Sequence, residues 1–131
     1  MRRLSVQLVI LVLMVVALQG CAPMRPGADT FLTRSEQSLD VAFWSVDALF
    51  RIDKATPELD KLVPGAHAVI EKMRQDAPPI FRSAIDALDA YRLNQGPAEQ
   101  NRVTQALAVA VSLSQDATVW LNKINTAKGG K

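Results

Sequence analysis

The chain has 131 residues, enough for one domain with a modest core. Its 15 Lys and Arg against 13 Asp and Glu leave a net charge of only +2, too small an excess of base to mark a nucleic-acid or polyanion partner. The single cysteine, Cys21, excludes an intrachain disulfide, and the single histidine, His67, excludes a multi-histidine metal site.

The chain opens with the basic Met1-Arg2-Arg3, continues as an apolar run to Leu18, and places the small Gly20 directly before Cys21. That order of charge, apolar stretch and small residue is a secretory signal. The run falls short of the about 20 residues that a transmembrane helix needs. Leu18-Gln19-Gly20-Cys21 resembles the lipobox of bacterial lipoprotein precursors, with an aliphatic residue three before the cysteine and a small one just before it. Gln19 departs from the small or β-branched residue that is commoner at its place. The resemblance implies a diacylglycerol on the Cys21 thiol, cleavage before Cys21, and a new amine that is acylated, as by palmitate. It also implies, from Ala22 instead of an aspartate, export to the outer membrane, facing the periplasm. Acyl chains contribute about 0.8 kcal/mol per buried methylene, and several give stable anchoring. The mature chain is then 111 residues, and the loss of Arg2 and Arg3 leaves 13 bases against 13 acids. Two other readings are a cleaved signal that leaves a free thiol and a twin-arginine signal; the usual pattern around the arginines is missing for the latter.

Residues 21–29 read as a tether, because Pro23, Pro26 and Gly27 block regular structure. A first helix is expected from about Thr30 to Lys54, capped by Asp29 or Thr30. Leu39, Phe43, Val46 and Phe50 form its apolar stripe, and Val41, Trp44, Ala48 and Ile52 widen it. Asp47 and Arg51 make a pair one turn apart. Trp44 reads either as a core or boundary residue or as an interface anchor.

Thr56-Pro57-Glu58 is a helix restart. Leu59, Leu62, Val63, Ala66, Ile70 and Met73 continue an apolar stripe that Pro64-Gly65 interrupts, by a kink or by a break and restart. Asp76-Ala77-Pro78-Pro79 is expected to end that helix and open the next, over 79–93, with Phe81, Ile85, Leu88 and Tyr91 on one face. Arg82 with Asp86 and Asp89 with Arg92 read as solvated pairs. Gly96-Pro97 starts the last helix, to about Thr126. Val103, Leu107, Ala110, Ser114, Ala117, Leu121 and Ile124 form a heptad seam with a small centre that Trp44 or Phe43 is expected to fill. The expected fold is an all-α, four-helix antiparallel up-down bundle with a kinked or broken second helix, over residues 30–126, with 127–131 as a tail.

No arrangement of residues points to catalysis. His67 reads as a boundary or surface residue, Asp86 and Asp89 as solvated acids, and no haem, metal or phosphate-binding pattern is present. The protein is expected to have no cofactor and not to be an enzyme. The candidate residues are therefore Cys21 for lipidation, Trp44 and Trp120 for a partner surface, and the terminal Lys131 for attachment to peptidoglycan. The whole chain resembles the small helical lipoproteins of unknown function of proteobacteria and their prophages. It is expected to bind an envelope protein or itself. The alternatives are a link between outer membrane and cell wall through Lys131, and a carrier of a small apolar ligand beside Ala110, Ser114 and Ala117.

Overall fold

A computed structural model describes residues 29–130. The expected signal, Cys21, the expected tether up to residue 28 and Lys131 lie outside them. The described residues fold as a four-helix, mostly antiparallel up-down bundle: α1 (Thr30–Ala55), the one-turn α2 (Leu59–Leu62), α3 (Ala66–Leu93) and α4 (Pro97–Gly129). No helix among them is long and apolar enough to cross a membrane.

The pairing of α1 with α3 is read from three contacts in reversed order. Phe31 meets Tyr91 edge-on with ring centres 5.0 Å apart, Phe43 meets Phe81 at 5.5 Å, and Asp53 meets Arg74 at 3.0 Å. The short turn at 94–96 returns α4 antiparallel to α3, with Gly96 as cap and Pro97 in the first turn. Lys128, near the end of α4, donates to the Thr56 hydroxyl at 2.9 Å, so α1 and α4 finish at the same end of the bundle. The expected loose tail is thus helical through Gly129.

The buried line of α1 is Ser35, Leu39, Ala42, Val46, Leu49 and Asp53, at spacings of four and three. This shifts the expected stripe. Leu39 and Val46 belong to it, Phe50 is half-buried, and Phe43 stands 51% exposed. A helix with apolar residues on every side has no unique phase in its pattern, and packing on α3 and α4 selects one. On α4 the seam holds as one heptad row: Val103, Ala110, Ala117 and Ile124 are fully buried, while Leu107, Ser114 and Leu121 are half-buried.

Pro64-Gly65 is a break. Gly65 has φ +78°, the left-handed region that glycine enters without a steric cost, and α3 starts at the next residue. Pro78-Pro79, by contrast, does not end a helix: α3 runs through both prolines. Both rings face solvent, and the carbonyls left without an N–H partner, those of Arg74 and Gln75, lie on half-buried and exposed residues within reach of water. Ala77, Phe81 and Ala84 carry the buried face across the prolines. Ile85, expected beside Phe81, is 49% exposed, and Ala84 takes the inward place.

Candidate functional site

Among the described residues one charged side chain enters the core. Asp53, in the last turn of α1, continues the buried spacing of Val46 and Leu49 and is 8% exposed. A buried carboxylate requires partners on both oxygens, and α3 supplies them. His67 Nδ1 donates to Oδ1 at 3.1 Å and Arg74 Nη2 donates to Oδ2 at 3.0 Å. Arg74 also donates to Glu71, and its guanidinium lies 5.1 Å from the centre of the Phe50 ring. The backbone N–H of His67 donates to Asp60 Oδ1 of α2 at 2.9 Å, satisfying one of the open donors at the start of α3. One histidine and two acids thus join α1, α2 and α3.

The electrostatics follow from the geometry. Burial raises the Asp53 pKa, but the hydrogen bonds and charges of His67 and Arg74 outweigh it and hold the carboxyl below its ordinary 3.8. The hydrogen bond from His67 to Asp53, together with the carboxylate charge, raises His67 above its ordinary 6.5. A surface groove of about 400 Å³ opens beside the cluster, lined by Thr56, Glu58, Asp60, Lys61 and His67 among others. Among the described residues no group of three or more His, Cys, Asp or Glu can hold a metal ion. The cluster closes the end of the bundle: it fixes the short α2 and the start of α3 on the end of α1.

Sequence reasoning placed His67 at the boundary, where its side chain is indeed 61% exposed, and missed Asp53. The signal was present, since Asp53 falls four residues after Leu49 on the buried spacing, which carries apolar side chains from Leu39 to Leu49. Asp47–Arg51 and Asp89–Arg92 form as expected, the first at 2.7 Å. Arg82–Asp86 does not form among the described residues.

The two tryptophans differ. Trp120 is half-buried against the core, with the Lys123 ammonium 4.4 Å from its ring centre. Trp44 is 61% exposed, which removes the core reading, and it fills no space opposite Ala110 and Ala117. Those alanines are fully buried in the core cluster, and Ser114 is half-buried beside them. Val41 and Phe43 stand 56% and 51% exposed on either side of Trp44 on α1, and Val109 and Val119 are about as open on α4. A second groove, of about 490 Å³, runs between α3 and α4 over Ala87, Ala90 and Ala106, with Asp86 and Arg102 at its walls. Cys21 and Lys131 lie outside the described residues. Comparisons of the chain with protein-family models, with curated proteins and with solved structures find no match.

Proposed function

We propose that the protein is an envelope lipoprotein, anchored through acyl chains on Cys21, whose helical domain binds a protein partner or a copy of itself at the periplasmic face of the outer membrane. The observation that carries the binding half is the exposure of Val41, Phe43 and Trp44 together on the outside of α1. Large apolar side chains grouped on a surface mark an interaction site more often than single ones do. The anchoring half rests on the basic start, the apolar run and Leu18-Gln19-Gly20-Cys21. The two halves fit one another in length. The nine residues from Cys21 to Thr30 span at most about 30 Å, so α1 is the helix nearest the anchor along the chain.

The test is reversible crosslinking of the full-length protein in envelope membranes, followed by recovery, with Cys21→Ser and Trp44→Glu as controls. A specific protein, or the chain itself, recovered with the wild type and lost in both variants is the expected outcome. Incorporation of labelled palmitate that is the same in wild type and Cys21→Ser would sink the anchor. Recovery indifferent to Trp44→Glu would sink the surface.

A further inference from the structure

α1 carries a second stripe, opposite its buried one. Gln37, Asp40, Trp44, Asp47 and Arg51 succeed one another at spacings of three and four and turn away from Leu39, Val46 and Leu49. The middle of this face is apolar: Trp44, with Val41 and Phe43 to its sides, all more than half exposed. Its ends are charged with opposite sign. Asp40, towards the start of the helix, forms no ion pair among the described residues. Arg51, towards the end, is 71% exposed; it binds Asp47 at 2.7 Å and leans over Trp44, 5.9 Å from the ring centre.

A face with an acid at one end, a base at the other and an aromatic ring between them is complementary to its own copy turned end for end. That is the condition a two-fold interface must meet. For two such helices packed antiparallel about an axis between Ser45 and Val46, Asp40 of each copy stands level with Arg51 of the other. Trp44 then stands level with Asp47 of the second copy, whose charge Arg51 of its own chain already balances at 2.7 Å, and beside the small Ala48. The free acid gains a counter-charge, and the rings leave water. A two-fold axis along the membrane normal holds both chain starts at one height, so both tethers of about 30 Å reach the same membrane.

We propose that the outer face of α1 is a homodimer interface, with Trp44 at its centre and an Asp40–Arg51 pair at each end. This deepens the binding reading by naming the partner as a second copy, and it rests on Cys21 only for the shared membrane.

The experiment places benzoylphenylalanine at position 41 of the full-length protein in membranes and measures the photo-crosslinked dimer, with Cys21 acylation followed in the same samples. Asp40→Arg and Arg51→Asp each bring like charges together and are expected to lower the dimer fraction by about tenfold. The double variant restores opposite charges and is expected to recover it. Both positions are exposed, so all variants keep the protease resistance of the wild type. A Trp44→Glu variant abolishes the band by a route independent of the charge swap. The interface is overturned by a wild type that crosslinks to another protein or to lipid instead of itself, by single variants that crosslink as well as the wild type, or by a double variant no better than the singles. Loss of Cys21 acylation with the swap pattern intact removes the anchor and leaves the dimer standing.

Discussion

At the scale of single residues, Asp53 is the most constrained charge in the described structure. Its two oxygens are each held by a cation from α3, and no buried side-chain polar atom among the described residues lacks a partner. Asp53→Ala leaves Arg74 without its buried partner and takes away the acceptor of His67 Nδ1. Breaking a fully buried pair costs about 3–5 kcal/mol; because both cations reach solvent, about 2 kcal/mol is expected here. Asp53→Asn keeps the size and one acceptor and is expected to cost less. Urea unfolding of the two variants measures the difference, and equal midpoints would refute a role for the charge. The same contacts set the pH dependence. His67 has a raised pKa in the folded protein, so its contribution is full below its ordinary 6.5 and fades as pH climbs through the folded value. Asp53 has a lowered pKa, so its contribution is full above its ordinary 3.8 and fades as pH falls through the depressed value. Stability is therefore expected to hold from about pH 4 to pH 6.5 and to decline above it. His67→Gln is expected to flatten the decline above pH 6.5 and to weaken the acid limb to the share that Arg74 supplies. An unchanged alkaline limb in that variant would mean that another group titrates there.

The helices show which local signals survive packing. Pro64-Gly65 and Pro78-Pro79 look alike in sequence as helix breakers, yet only the first pair breaks one. The difference lies in what each position needs. Gly65 occupies the left-handed region, which a side chain enters at a cost, whereas Pro78 and Pro79 keep a φ that a helix already uses and give up hydrogen bonds only on an outward face. Gly65→Ala is expected to destabilise the protein by about 1 kcal/mol, although a Cβ there meets nothing within 4 Å. A neutral result would show that the turn relaxes without penalty. Pro79→Ala is expected to act the other way. It restores one backbone bond, worth most of the about 3 kcal/mol that an interior proline costs, against the about 0.4–1 kcal/mol lost as the unfolded chain gains freedom. A gain of about 2 kcal/mol in denaturant unfolding is the expected net. A loss would mean that the prolines shape α3 in a way its packing needs. The short α2 was legible from Thr56-Pro57-Glu58 and Pro64-Gly65 because those cues are local. The passage of α3 through two prolines was not, because it depends on Ala77 and Ala84 being buried by other helices.

For the molecule as a whole, the up-down order follows from helices joined by short turns, and the heptad row of α4 was readable because its period repeats over four buried positions. The phase of α1 was not readable. Apolar residues surround that helix, and the choice between Phe43 or Trp44 inward and Ala42 or Leu49 inward belongs to the tertiary packing. The outcome separates what holds the bundle together from what it offers outside. Leu49 is fully buried on the α1 line, one step before Asp53, and Leu49→Ala is expected to cost about 3 kcal/mol, the sum of lost transfer energy and the cavity left behind. In a domain whose total stability is about 5–15 kcal/mol, that is a large fraction. Trp44 is larger than Leu49 but points outward, touching Phe43 at 6.4 Å and Arg51 at 5.9 Å between centres. Trp44→Ala is expected to cost less than about 1 kcal/mol when the protein is dilute enough to be monomeric. The comparison is made by urea unfolding of both variants at low and high protein concentration. Leu49→Ala shifts the midpoint by the same amount at both, because its contacts lie within one chain. Trp44→Ala shifts it only at high concentration, where a second copy covers the ring and binding to the folded state adds to stability. A Trp44→Ala loss as large as that of Leu49→Ala at low concentration would place the ring in the core. A loss that is small at both concentrations would remove its role in self-association.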